Sequence, residues 1–280
     1  MKRYAIGLYE KAMPPTLSWE EKLSFAKSAG YDFVEISIDE KDDKLARLDW
    51  SAEERLALVE TMKRVGLPIR SMCLSGHRKY PFGSADPAIR ARSMEIMEKA
   101  IAFADDLGIR IIQLAGYDVY YEDSTKESKA LFLENLRKAA DMAACRGILM
   151  GFETMETDFM NTVWKSMYYV DAVGSPYLGV YPDSGNLTNA AVSSGGSVTD
   201  DLYSGRGHIV ALHLKETVPG VFREVPFLTG HVDFPNVISK AWQLGIRRYV
   251  TEMWYTGNDD TWADDIRFAC SSMTKLLDQQ

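Results

Sequence analysis

Eight short apolar runs recur along the chain, at 4–9, 33–38, 69–74, 109–114, 148–152, 178–181, 209–214 and 249–253, each rich in β-branched or aromatic residues. Apolar residues on consecutive rather than alternate positions mark parallel strands buried on both faces. Between the runs, apolar residues return at helical spacing, which predicts helices over 51–65, 87–107, 126–145, 161–173, 234–244 and 261–277. Ser51, followed by Glu54, has the spacing of a capping box. Gly30, Gly66, Gly108, Gly147 and Gly245 each stand just before a strand, where a left-handed residue closes a helix. This repeated punctuation predicts an α/β fold, a single (β/α)8 TIM barrel over residues 1–280. A doubly wound dinucleotide fold lacks its fingerprint, because no Gly-x-Gly-x-x-Gly follows the first run.

Four polar residues sit inside or just past these runs: Glu153, Asp183, His213 and Glu252, at intervals of 30, 30 and 39 residues. That is the beat of one strand plus one helix. Singly, each has an ordinary reading: a strand-end salt bridge for Glu153 and Glu252, an Asx turn for Asp183, a satisfied core histidine for His213. Jointly, they occupy equivalent places on successive strands of a barrel, whose carboxyl-terminal mouth is where active sites lie. Three carboxylates and an imidazole repel one another there unless a divalent cation joins them. An O₃N set suits Mn²⁺ or Mg²⁺, and accepts Zn²⁺ or Co²⁺.

The loops 39–50, 75–86 and 215–233 follow strands and exceed the length the fold needs, so they are expected to wall a pocket at that mouth. Lys11, His77, Arg78, Lys215 and Arg223 fall on loops after strands and are candidates for holding a substrate hydroxyl or phosphate, each with the plain alternative of a solvated surface residue. The Gly/Ser-rich stretch 189–207 is expected to be mobile. Net charge is −8, from 32 basic and 40 acidic residues, which supplies no footprint for a phosphate backbone and speaks against nucleic acid as a partner. Cys73, Cys145 and Cys270 are odd in number and far apart, so they predict buried thiols rather than disulfides or a zinc ribbon. The amino terminus, MKRYAIGLYEKAMPP, meets Glu10 and Lys11 before an apolar signal core can form, and no run is long enough to span a bilayer, so a cytoplasmic enzyme is expected.

The segments GLYEKAMP, YDFVEISIDEKDDKLARLDWS, RSMCLSGHRKYPFGS, IQLAGYDVYYED, FETMETDFMN, YPDSGNL, GHIVALHLKETVPGVF and TEMW, between residues 7 and 254, resemble the L-ribulose-5-phosphate (L-xylulose-5-phosphate) 3-epimerases of the xylose-isomerase-like barrels. The resemblance implies metal ligands at Glu153, Asp183, His213 and Glu252, with the two glutamates as the acid–base pair. It also implies a small sugar phosphate as partner, and a homodimer is compatible with it. Two departures from the family pattern fall in the loop after the seventh strand: Glu216 replaces the usual Asp, and Leu228-Thr229-Gly230 replaces Gly-Glu-Gly. The rival reading within the fold is a metal-dependent aldose–ketose isomerase. A multi-zinc endonuclease would need more than the four histidines present. A silent sugar-phosphate sensor would not need the acid–base pair.

Overall fold

The computed structural model describes Lys2–Gln280; Met1, at the head of the stretch read for a signal peptide and of the 1–280 barrel, lies outside the described residues. Its eight parallel strands are β1 (Ala5–Tyr9), β2 (Phe33–Ile38), β3 (Ile69–Leu74), β4 (Ile111–Ala115), β5 (Leu149–Glu153), β6 (Leu178–Val180), β7 (Leu212–Leu214) and β8 (Arg248–Thr251). They form one sheet in the order β6-β5-β4-β3-β2-β1-β8-β7, which curls so that β6 and β7 meet. This is the expected TIM barrel.

The seam between β6 and β7 is thin, held by isolated parallel bridges from Val180 to Ile209 and from Asp183 to His213. Pro182 has no N–H to continue the ladder, but its carbonyl accepts from His213 N at 2.9 Å. Close approach along the seam needs Gly179, since a Cβ there would lie 2.3 Å from the His208 carbonyl oxygen. The run predicted as one strand over 209–214 is therefore a bridge followed by a three-residue strand. The interruption sets Asp183 beside His213.

Among the described residues ten α-helices surround the barrel: α1 (Trp19–Ser28), α2 (Asp42–Leu45), α3 (Ala52–Val65), α4 (Pro87–Leu107), α5 (Lys126–Cys145), α6 (Val163–Val173), α7 (Ser184–Ser194), α8 (Val198–Ser204), α9 (Phe234–Gln243) and α10 (Trp262–Leu277). Ser51 and Glu54 make the expected capping box, and Gly66 ends α3 at φ 72°. A second capping box, Ser18 with Glu21, starts α1. The main core lies between sheet and helices, around residues such as Ile36, Met97, Phe103 and Ile238. A smaller layer with Phe33, Ile111, Tyr181 and Val250 packs together as a separate cluster.

The stretch 189–207, expected to be mobile, is largely helical: it holds the end of α7 and all of α8, capped by Asp183 and Ser197. One expectation is corrected. Cys145 is exposed at the last position of α5, whereas Cys73 and Cys270 are buried. Among the described residues no helix is long and apolar enough to cross a membrane.

Candidate metal centre and substrate site

Each of the four candidate ligands is positioned by backbone within its strand or within three residues of its carboxyl-terminal end. Glu153 is the last residue of β5, and Glu252 follows β8 with its N–H donating to the Leu214 carbonyl at 2.9 Å. His213 is central in β7. Asp183 caps α7, its Oδ1 accepting from Asn186 N at 2.7 Å. It is thus both the turn residue of the ordinary reading and a member of the cluster. One ligand atom from each of the four lies within 4.8 Å of the others, and all four residues are buried.

The imidazole is turned toward the carboxylates by its Nδ1 edge, 3.3 Å from Glu252 Oε2 and 3.9 Å from Glu153 Oε1. Its Nε2 edge meets Glu35 Oε1 at 2.6 Å. Lys215 is buried, with Nζ 3.1 Å from Asp183 Oδ1 and 3.4 Å from Glu252 Oε2, and it donates to Asn186 Oδ1 at 2.9 Å. Asp183 Oδ2 and Glu252 Oε2 have no hydrogen-bond donor although both are buried. Buried carboxylate oxygens without donors are costly. A divalent cation satisfies them, so the donor set fits one.

The electrostatics without a cation show the strain of crowding these groups. Burial, reinforced by the neighbouring Glu252, pushes Glu153 up to about 8. Burial likewise pushes Asp183 up to about 7, against the pull of Lys215. Glu252 moves the other way: burial would raise it, but Lys215 and His213 together hold it below the usual carboxylate range. His213 is raised well above its ordinary value because Glu35 and Glu252 outweigh its burial.

A cavity opens above the cluster, with Glu153, Glu252 and Lys215 in its floor and Trp254 and Phe222 in its wall. Lys11, Arg78 and Arg223 line it as well. Lys11 pairs with Asp39, Arg78 lies 4.8 Å over the Tyr120 ring, and Arg223 is 3.6 Å from Glu156 Oε1. The loops of residues 75–86 and 215–233 do reach this pocket, and that of 39–50 braces Lys11.

His77 does not belong there. A 3-10 turn over Gly76–Arg78 sends Arg78 into the cavity and His77 back beneath α4, where Nε2 meets the Ser93 carbonyl at 3.2 Å and the ring packs 4.4 Å from Phe82. Burial depresses His77 to about 4 from 6.5. The folded state therefore holds it neutral while the unfolded chain takes up a proton below 6.5. The stabilisation is complete above that pH and is lost as pH falls toward 4, roughly 3 kcal/mol in all. Urea unfolding at pH 7 and pH 4.5 should show a smaller acid loss for His77→Gln than for the parent protein; equal losses would remove His77 as a cause.

Glu216 and the Leu228-Thr229-Gly230 segment prove to be one structural unit. Glu216 accepts from the N–H groups of Thr217, Leu228 and Val232, each at 3.0 Å, and so folds the loop after β7 onto itself. Leu228 takes a left-handed φ of 65° to reach it. Residues not anticipated from sequence include Asn186, which binds Lys215 and the Thr154 carbonyl, and Glu35 behind His213. A carboxylate in the middle of the mostly apolar FVEISI strand was the available signal for Glu35.

Residues 23–272 match the family described as xylose isomerase-like TIM barrel. The chain is 45% identical over 264 residues to L-ribulose-5-phosphate 3-epimerase UlaE of Escherichia fergusonii, covering 94% of this chain and 92% of that one. In solved structures it is similar to L-ribulose 3-epimerase (TM-score 0.80, 19% identity, 99% and 95% of the two chains). It is also similar to D-allulose 3-epimerase from Methylomonas sp. in complex with D-allulose (TM-score 0.79, 20% identity, 98% of each). At these identities the two structures speak for the fold, and the sequence match to UlaE speaks for the family. The chain belongs to the L-ribulose-5-phosphate 3-epimerase family within the xylose isomerase-like TIM barrels.

Proposed function

We propose that this protein is a metal-dependent 3-epimerase interconverting L-ribulose 5-phosphate and L-xylulose 5-phosphate, by removing and returning the proton at C3. The observation that carries the reading is the convergence of Glu153 from β5 and Glu252 from the end of β8 on one buried cluster under one cavity. Inversion needs a base on one face of C3 and an acid on the other. Glutamates from strands far apart around the barrel can supply both.

Glu153, Asp183, His213 and Glu252 would hold one Mn²⁺, Mg²⁺, Zn²⁺ or Co²⁺, which when bound supplies Lewis-acid stabilisation of the charge that develops on the substrate oxygens. Glu153 and Glu252 exchange the C3 proton. Lys215, held between Asp183 and Glu252, places a positive charge at the floor. Trp254 and Phe222 shield the reacting carbon from water. Lys11, Arg78 and Arg223 receive the 5-phosphate, while Lys215 is committed to the carboxylates. Remote binding of this kind positions C3 between the two glutamates.

Turnover of L-xylulose 5-phosphate in D₂O, followed by NMR, tests the reading. Deuterium is expected at C3 of the epimer and nowhere else. Deuterium at C1 with C3 configuration retained would establish the aldose–ketose isomerase instead. In the same assay, free L-ribulose should have a kcat/KM lower by on the order of 10² or more, since charged hydrogen bonds to phosphate contribute about 1.5–3 kcal/mol each. Equal values would remove the phosphate from recognition.

A further inference from the structure

Glu35 is fully buried in the middle of β2, where six successive positions are all buried. A carboxylate there is costly unless its hydrogen bonds are complete. They are. Ser71 Oγ donates to Oε2 at 2.7 Å and the Tyr181 hydroxyl donates to the same oxygen at 2.9 Å. Oε1 is left for His213 Nε2 at 2.6 Å. Register matters to this arrangement. Val34 pairs with Ile69, but Glu35 pairs with Ser71, so Arg70 is an extra residue in β3. The irregularity brings a hydroxyl, rather than a guanidinium, opposite the carboxylate. Bulges that re-aim a side chain in this way recur beside functional sites.

The surroundings of His213 leave its ring one orientation. The Tyr181 ring stands edge-on to it at 4.9 Å, and Gln113 Nε2 lies 3.2 Å from each of its nitrogens. Glu35 holds Nε2, which leaves Nδ1 as the nitrogen that faces Glu153, Asp183 and Glu252 and that a divalent ion would take in place of a proton. Rotating the ring by half a turn would replace both nitrogens by carbons and forfeit the 2.6 Å bond.

We propose that Glu35 is a positioning residue of the metal centre, fixing the tautomer and orientation of His213 so that Nδ1 is ready for a divalent ion. The inference rests on the metal reading of the cluster. A carboxylate behind a metal-bound histidine also makes the imidazole a stronger donor, and losing such a partner typically weakens metal binding 10- to 100-fold. Ser71 and Tyr181 act one step further out by holding Glu35 still.

Titration of the chelator-stripped full-length protein with Mn²⁺ by calorimetry, together with the melting temperature of each metal-free variant, tests the proposal. Glu35→Gln is expected to raise the Mn²⁺ Kd by about 10- to 100-fold. Tyr181→Phe, which keeps the carboxylate but frees it to turn, should raise it less, and it carries the test if Glu35→Gln does not fold. An unchanged Mn²⁺ Kd in both variants, even with a lowered melting temperature, would make Glu35 a merely structural residue and overturn the proposal. Absence of Mn²⁺ binding by the parent protein would overturn the metal reading and this inference with it, which separates the two failures.

Discussion

Complete removal of the divalent ion should lower C3 epimerisation by about 10³-fold or more, with activity restored by Mn²⁺. The magnitude follows from the chemistry. A C3 proton next to a carbonyl is too weakly acidic for a carboxylate unless the developing oxyanion is stabilised. A bound cation supplies several kcal/mol of that stabilisation, and each 1.4 kcal/mol is about tenfold in rate. The residues left behind cannot substitute for it. Lys215 is the cation at the floor, and it is already shared between Asp183, Glu252 and Asn186. Removal should also cost stability, because burial then forces protons onto Glu153 and Asp183. The check is the D₂O assay on protein whose metal content has been measured before and after chelation. Undiminished turnover after verified removal would end the metal-dependent mechanism.

The cluster of Glu153, Asp183, His213 and Glu252 was legible in the chain because a barrel turns a sequence interval into a spatial coincidence. Residues one strand–helix repeat apart must arrive at the same rim, so spacing alone could bring the four together. Glu35 had no such signal: Ser71 lies 36 residues on, one repeat away, but Tyr181 and His213, its other partners, are 146 and 178 residues away, and no periodicity links them. Helix α7 was missed for another reason. Ser, Asn and Gly are weak helix formers, and its first turns are stabilised by burial and by the Asp183 cap rather than by propensity. His77 and Arg78 are adjacent, and only the 3-10 turn decides that one faces the cavity and the other the core. Loop position alone does not tell those outcomes apart.

The second large effect concerns the two glutamates. Replacing either by glutamine should cut epimerisation by roughly 10²–10⁴-fold, the usual contribution of a positioned acid or base. Glutamine keeps an oxygen for the cation but cannot take a proton, so comparison at equal, measured metal content isolates the proton-transfer role. The two variants should then differ in a way that a single-base mechanism does not allow. In each epimer the C3 proton faces only one of the two carboxylates. Glu153→Gln leaves Glu252 able to remove the proton from the epimer that presents it on that side, and with no acid on the opposite face the proton returns where it left. That epimer would exchange C3–H for deuterium without inverting, while the other stays unlabelled. Glu252→Gln should show the mirror result, labelling the other epimer alone. L-ribulose 5-phosphate and L-xylulose 5-phosphate incubated separately with each variant in D₂O provide the four measurements. Exchange of the same epimer by both variants would mean that one base serves both directions, and the assignment of Glu153 and Glu252 to opposite faces of C3 would fall.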